Sequence, residues 1–118
     1  MKIYTGYFDI LEKLPKDIIP ISICGKAPGW YNGIQYKNLA PKLKFFLEWK
    51  ENKDNNFYIK NFNEQVLSKL NKEQVLKDLY KISEGKDIIL ICYEKPDEFC
   101  HRHLVASWLN YNVEEYKI

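Results

Sequence analysis

The residue types that can do chemistry are concentrated in one short segment of the chain. The sequence has 17 lysines but a single arginine, two histidines and three cysteines. The arginine, both histidines and two of the cysteines lie between Cys92 and His103. A guanidinium presents a flat fork of donors that an ammonium does not reproduce. The lone Arg102 in a lysine-rich chain therefore indicates a site in this segment.

The first chemistry that this segment suggests is that of a thiol nucleophile. Cys100, near a predicted helix start and beside His101 and Arg102, could be held as the thiolate. Glu94 and the acidic residues that follow it oppose that shift, because a nearby carboxylate disfavours a second negative charge. The chain also lacks the short Cys-to-Arg cradle of Cys-based phosphatases. The alternative is a buried structural cysteine.

The second chemistry is recognition of a phosphate-bearing ligand, such as a nucleotide or the end of a nucleic acid. The helix N-terminus would supply donors and aromatic side chains of an upstream loop would stack on a base. The side chains that would take part are Lys26, His101 and Arg102 for the phosphate and Trp30, Tyr31 and Tyr36 for the base. In the alternative interpretation, Arg102 pairs with Glu94 to brace the turn and the aromatic residues only cover the core.

Metal binding and a non-enzymatic interaction surface are two further possibilities. Cys92, Cys100, His101 and His103 are ligand types, but no Cys-x2-Cys pair exists and the two histidines diverge on a helix. We therefore expect no metal and no cofactor. Residues 37–60 hold six lysines against three acidic residues, interleaved with aromatic side chains. This pattern suits a weak nucleic-acid or protein surface, or simply the solvated faces of core helices.

The elements that must position these residues alternate between strands and helices. Helical spacing over residues 41–50 places Leu43, Phe46 and Leu47 on one face. Residues 25–41 carry too many glycines, prolines and large aromatics for a regular element. Strands are predicted over residues 2–8, 17–24, 87–93 and 112–118, and helices over 8–14, 41–50, 57–70, 71–85 and 97–110. This order predicts a small α/β domain, spanning residues 1–118, with a mainly parallel sheet of Rossmann-like three-layer type.

In parallel sheets, ligands bind outside the carboxyl ends of the strands. Those ends are residues 24–26 and 92–94 here, so we expect the long aromatic loop and the Cys/His/Arg segment to meet at one edge. The pocket would be lined by Cys92, Glu94, Cys100, His101 and Arg102. The guanidinium would orient an anionic or carbonyl-bearing ligand, His101 or Glu94 would transfer a proton, and the loop that contains Trp30 would cover the site.

Composition limits the class of protein. Hydrophobic residues make up 46% of the 118 residues, and the formal net charge is only +2, which indicates a globular domain without a strong nucleic-acid signal. No apolar run approaches a membrane span, and no secretory signal is visible. An odd number of cysteines without framework spacing predicts reduced thiols. We therefore expect a cytoplasmic protein with no membrane partner and nucleotide or nucleic acid as its candidate ligand.

The segment from Cys92 to Arg102 resembles the signature of the domain of unknown function 488 family, in which a strand ends in Cys-x-Glu and a helix opens with Cys-His-Arg. The opening Thr5-Gly6 is similar to that family's first strand, which commonly reads Thr-Ile-Gly, but the intervening Ile is missing here. The resemblance implies one α/β domain, from bacteria or their phages, with Cys92, Glu94, Cys100, His101 and Arg102 as the site. It implies no reaction.

Overall fold

Five parallel strands form a single sheet in the computed structural model, which covers residues 1–118. The strand order is β3-β2-β4-β1-β5, and every neighbouring pair is parallel. The strands are β1 (Ile3–Tyr7), β2 (Ile18–Ser22), β3 (Ile34–Gln35), β4 (Asp87–Cys92) and β5 (Glu114–Glu115). The predicted α/β class with a parallel sheet is confirmed.

Four α-helices connect or follow these strands. They are α1 (Leu43–Asn52), α2 (Asn55–Gln65), α3 (Lys72–Ser83) and α4 (His101–Leu109), with 3-10 turns at Phe8–Lys13, Lys37–Leu39 and Leu67–Lys69. Side chains cap two of the helices: Asp54 accepts from the N–H groups of Asn56 and Phe57, and Asn71 accepts from that of Gln74. No helix combines the length and the apolar character that crossing a bilayer requires.

The central strand β4 explains the layered arrangement. It pairs with β1 on one side and β2 on the other, and Ile88 to Ile91 are fully buried. Ile88 and Leu90 belong to a core shared with all four α-helices, whereas Ile89 and Ile91 belong to a second core. The 3-10 turn Phe8–Lys13 and the loop after β2 cover that second core. A strand buried on both faces therefore sits between two apolar layers, as its uninterrupted apolar sequence predicts.

The loop of residues 25–41 contains regular structure that the sequence analysis excluded. The two residues of β3 pair with Ile21 and Ser22, and the Tyr31 hydroxyl donates to the carbonyl of Ile34 at 2.7 Å. Pro20 lies one position before this pairing begins, so its missing N–H costs no hydrogen bond to β3. Tertiary pairing and a tyrosine anchor thus create a strand where local composition indicates only a loop.

The face of α1 that Leu43, Phe46 and Leu47 share is largely exposed. Leu43 and Leu47 are 69% and 53% exposed, whereas Phe45 is buried. Phe45 and Trp49 instead pack edge-on against Tyr58 of α2, with ring centroids 5.4 Å and 5.2 Å apart. The helix carries two apolar stripes, and the aromatic contact with α2 selects the one that faces the core.

The helix that carries the candidate site begins later than predicted. Residues 95–98 form a turn in which the Glu98 carboxylate accepts from the Lys95 N–H at 3.0 Å. Cys100 is the N-cap residue of α4, and His101 is its first helical residue. The predicted helix over 57–70 is likewise shortened, because it ends at Gln65 and continues as a 3-10 turn. The later start places Cys100 and His101, rather than the acidic residues, at the helix N-terminus.

We predict that Gly6→Ala lowers the free energy of unfolding by about 1–3 kcal/mol, the usual cost of overpacking a core. Gly6 is buried in β1, where a Cβ atom would lie 2.6 Å from Cδ1 of Ile89 and 3.0 Å from Cδ1 of Ile10. Gly29→Ala is the matched control, because nothing lies within 4 Å of its added Cβ. Urea denaturation measures both variants, and equal stability of the two would contradict this packing argument.

Candidate functional site

A cavity of about 860 Å³ opens at the carboxyl ends of β2 and β4. Residues 24–26 and 92–94 both line it, which confirms that the two distant segments meet at one edge of the sheet. Helices α1 and α2 and the N-terminus of α4 complete the wall. The lining residues are Cys24, Gly25, Lys26, Lys37, Ala40, Pro41, Leu43, Phe46, Trp49, Lys50, Tyr58, Cys92, Tyr93, Glu94, Phe99, Cys100 and His101.

Positive charge and aromatic surface share this cavity. Three lysines line it (Lys26, Lys37 and Lys50), whereas Glu94 is the only carboxylate in the lining. The ammonium group of Lys50 lies 5.2 Å from the centroid of the Phe46 ring. Most of the remaining wall is apolar, because the lining includes five aromatic side chains from α1, α2 and the segment after β4. The arrangement suits an anion that carries a flat apolar part.

The sequence analysis missed much of this wall. Lys37, Lys50 and the aromatic residues of α1 and α2 were assigned only to a possible interaction surface over residues 37–60. The alternation of lysine and aromatic residues in that segment was the available signal. It did not reveal a cavity, because α1 turns Leu43 and Phe46 toward the cavity rather than toward the sheet.

Two cysteines of the predicted site are joined in this structure. A disulfide links Cys92, at the end of β4, to Cys100, at the N-cap of α4, and Cys24 is a free buried thiol. The prediction that all three thiols are reduced is therefore wrong for this state of the protein. Spacing alone did not indicate the pair, because the two cysteines are eight positions apart in sequence with a turn between them. The thiol of Cys24 has a raised pKa, chiefly because it is buried.

His101 is held in a defined orientation at the cavity wall. Its Nε2 lies 2.7 Å from the backbone carbonyl oxygen of Ile23. Since a carbonyl only accepts, Nε2 carries the proton and Nδ1 keeps its lone pair, which faces Sγ of Cys100 at 3.8 Å. Burial, with smaller contributions from the charge of Arg102 and from His103, lowers the pKa of the imidazole to about 4, although the hydrogen bond to Ile23 opposes this shift. The ring is thus neutral near pH 7.

Arg102 is fully buried and does not line the cavity. Its Nε and Nη2 donate to the two carboxylate oxygens of Glu115, at 3.1 Å and 2.9 Å. Its Nη1 donates to Sγ of Cys92 at 3.1 Å and to the backbone carbonyl of Glu94 at 2.7 Å. The predicted partner, the Glu94 side chain, is replaced by the Glu94 carbonyl and by Glu115. The guanidinium therefore braces the turn instead of reaching a ligand in the cavity.

Glu115 is the positioning residue that the sequence did not reveal. It belongs to the two-residue strand β5 and lies opposite Thr5 of β1, whose hydroxyl donates to the Glu115 carboxylate at 2.7 Å. A buried arginine requires a carboxylate partner, and this requirement was the only indication in the sequence that a residue such as Glu115 has this role. The strand pairing, which selects Glu115 rather than Glu94, depends on the tertiary structure.

The predicted ligand-binding aromatics of the loop lie outside the cavity lining. Trp30 is 62% exposed and packs on Phe8 and Tyr31, with ring centroids 5.9 Å and 6.4 Å away. Tyr31 is buried, and its hydroxyl anchors β3. Tyr36, the third stacking candidate, donates its hydroxyl to Asp78 of α3 at 2.7 Å. The expectation that the Trp30 loop covers the site therefore needs correction: the two ends of the loop, at residues 25–26 and at Lys37, Ala40 and Pro41, contribute to the wall, and its aromatics pack elsewhere.

We predict that Arg102→Ala lowers the free energy of unfolding by about 3–5 kcal/mol, the usual cost of breaking a buried ion pair. The change leaves the carboxylate of Glu115 and the carbonyl of Glu94 without their donors. Glu115→Gln keeps an acceptor for the guanidinium and should destabilise the protein less. Urea denaturation of both variants tests this order, and a loss below 1 kcal/mol for Arg102→Ala would exclude a bracing role.

We predict that His101 remains neutral, with the proton on Nε2, as the pH falls from 7 to 5. Folding stability should decline over that range, because the unfolded histidine binds a proton near its ordinary pKa of 6.5 and the folded one does so only near 4. Heteronuclear NMR of the imidazole nitrogens measures both the tautomer and the midpoint. A midpoint above 6 would contradict the claim that burial of the ring outweighs the hydrogen bond to Ile23, which by itself raises the pKa.

Comparison with known proteins gives one finding about relatives. The family model DUF488-N3a, described as the active DUF488-N3 subclade, matches residues 13–113. The match covers both strand ends at the cavity, the disulfide and the first turns of α4. No curated protein and no solved structure matches the chain. The family description names no reaction or ligand.

Proposed function

The chain belongs to the DUF488 family, within the DUF488-N3a subclade, and from that premise we propose that its cavity binds an anionic ligand with a flat aromatic part. A nucleotide is the class of molecule that best combines these features. The observation that carries the proposal is that three lysines and a group of aromatic rings line one cavity at the carboxyl edge of the sheet.

The charge of the cavity lining supports the prediction that the ligand is an anion. Lys26 comes from the loop after β2, Lys37 begins the 3-10 turn after β3 and Lys50 comes from α1, so three separate segments each contribute one lysine to the lining. Glu94 is half-buried and opposes them with a single negative charge. A ligand that carries one or more phosphate charges would offset the excess positive charge of the lining. The whole chain has a formal charge of only +2, so the local excess is a property of this site.

The helix N-terminus supports the same assignment. No side chain caps α4, and its N-cap and first residue both line the cavity. The first N–H groups of an α-helix have no partner within the helix and carry a partial positive charge. Together with the lysines, they form an environment in which phosphate oxygens are favoured.

The aromatic rings of the lining support the prediction that part of the ligand is flat. Trp49 lies between Phe46, Tyr58 and Phe99, with ring centroids 6.1 Å, 5.2 Å and 5.6 Å away. All four side chains line the cavity. Every nucleobase presents a π-face, so such a surface favours bases without selecting one by hydrogen bonds. A volume near 860 Å³ lies within the usual range of about 300–1,000 Å³ for small-molecule sites.

A thiol-dependent enzyme is the second candidate, favoured by the position of Cys100 at a helix start and beside the lone pair of His101. It requires the reduced form, because Cys100 is bonded to Cys92 in this structure. Glu94 and His101 line the cavity and remain the candidates for proton transfer to a bound ligand. Cys100→Ser that keeps full turnover of any substrate would exclude the thiol role.

A non-enzymatic interaction module is the remaining alternative. Lys37 and Lys50 would then belong to a surface for nucleic acid, and the Arg102 guanidinium would be purely structural. The affinity of such a surface for nucleic acid falls steeply as the salt concentration rises, and the surface can bind a long strand. A cavity with room for one small ligand favours a mononucleotide or the end of a nucleic acid over a continuous strand.

We predict that a nucleoside monophosphate binds the protein more tightly than either the nucleoside or inorganic phosphate alone, because only the monophosphate engages both the rings and the lysines. Isothermal titration calorimetry with adenosine monophosphate, adenosine and phosphate measures the three affinities. A short oligonucleotide with a 5′-phosphate, compared with the same oligonucleotide without it, separates recognition of an end from binding along a strand.

Lys50→Ala and Lys44→Ala form a matched pair on α1. Both lysines are exposed, but only Lys50 lines the cavity. Removing Lys50 should weaken binding about tenfold or more, since a hydrogen bond to a charged group contributes roughly 1.5–3 kcal/mol. Lys44→Ala should bind as the wild type does. The proposal fails if no nucleotide or oligonucleotide binds at millimolar concentration, or if both variants lose affinity equally.

A further inference from the structure

Two sulfur atoms and one imidazole nitrogen converge at the wall of the cavity. One ligand atom each from Cys92, Cys100 and His101 lies within 4.8 Å of the others, and all three residues are buried. They come from two elements: Cys92 ends β4, and the adjacent Cys100 and His101 begin α4. Thiolate and neutral imidazole are the ligand types that zinc prefers in proteins.

The orientation of His101 fits a metal ligand. Histidines that bind metals commonly donate their second ring N–H to a backbone carbonyl, which fixes the tautomer and directs the other nitrogen to the ion. His101 has this arrangement: Nε2 donates to the Ile23 carbonyl at 2.7 Å, and Nδ1 faces Sγ of Cys100. No other group in the protein donates to Nδ1, so its lone pair is available.

The surroundings of Cys92 also fit a bound thiolate. Nη1 of Arg102 donates to Sγ of Cys92 at 3.1 Å. A hydrogen bond from a cation stabilises negative charge on sulfur, which is the form that binds metal. Because Arg102 is itself held by Glu115, this donor is fixed in place before an ion arrives.

We propose that, when the Cys92–Cys100 disulfide is reduced, Cys92, Cys100 and His101 bind one Zn²⁺ ion, whose fourth position faces the cavity. All three residues line that cavity, so a water molecule or a ligand oxygen has access to the ion from one side. Three protein ligands with an open position are typical of catalytic rather than structural zinc. The absence of Cys-x2-Cys spacing, which argued against a structural site, does not argue against this one.

Metal binding and the disulfide exclude each other. Binding replaces the protons of two thiols by Zn²⁺, and both protons are released to solvent. Oxidation by a small-molecule disulfide removes two electrons from the thiolates, forms the Cys92–Cys100 bond, expels Zn²⁺ and yields two small-molecule thiols after uptake of two protons. The Cα atoms are 7.6 Å apart, which leaves space between the side chains for an ion once the sulfurs separate. The redox state of one cysteine pair therefore determines whether the cavity contains zinc.

This inference is independent of the proposed function, because metal binding is measured without any nucleotide. Untagged protein is reduced under anaerobic conditions and titrated with Co²⁺, followed by Zn²⁺. We expect one Co²⁺ per chain, with a thiolate-to-metal charge-transfer band and the intense visible bands of tetrahedral cobalt, all lost on displacement by one equivalent of Zn²⁺. The same chain, oxidised with a small-molecule disulfide, should bind neither ion and should recover binding after reduction.

Three single-cysteine variants locate the site. Cys92→Ser and Cys100→Ser should each lose stoichiometric binding and the charge-transfer band. Cys24→Ser is the matched control, because Cys24 is a buried cavity cysteine outside the converging group and should keep both. The comparison of oxidised and reduced wild-type chain stays decisive even if a variant fails to fold. The proposal is overturned if reduced wild-type protein binds no Zn²⁺, if oxidised protein binds it equally well, or if both Cys92→Ser and Cys100→Ser retain it.

Discussion

The burial of one guanidinium is the constraint on which the rest of the site depends. Arg102 has no exposed surface, and a buried charge is tolerated only where its donors are satisfied. Its partners are the carboxylate of Glu115, the carbonyl of Glu94 and the sulfur of Cys92. One side chain of α4 therefore ties together the last strand, the turn after β4 and the disulfide. These contacts position the cysteine pair and the start of α4 at the cavity wall.

A second contact joins α4 to the other side of the cavity. His101 donates to the Ile23 carbonyl, which lies just after β2, so the helix start is bound to the ends of both strands that frame the opening. Both contacts follow from the geometry of the helix. Adjacent residues of one helix, His101 and Arg102, diverge by about 100° around its axis and brace opposite neighbours. The sulfur, imidazole and backbone groups that remain at the wall are consequently fixed, which is the condition for selective binding of an ion or a phosphate.

The sequence predicted the architecture and the place of the site better than the role of each residue. The strand over residues 87–93, the helix over residues 71–85 and the meeting of residues 24–26 with 92–94 are all confirmed, because each rests on a local pattern or on the general geometry of parallel sheets. The partner of Arg102 and the location of Trp30 were predicted wrongly, and the spacing of α1 did not indicate which of its faces packs on the core. Each of those depends on which of several compatible surfaces another element covers, and a local pattern contains no information on that choice.

What the amino-acid sequence determined by itself is the concentration of rare imidazole, thiol and guanidinium groups in one segment, after a strand that had to be central. Hydrophobic periodicity sets the elements, and the parallel orientation of the strands brings their carboxyl ends to one edge of the sheet. Only the tertiary structure decided that Glu115 neutralises Arg102, that Cys92 contacts Cys100, and that lysines and aromatics of α1 and α2 complete the cavity. Those contacts join residues distant in sequence, and their free energy is gained only when both segments are already packed on the same sheet.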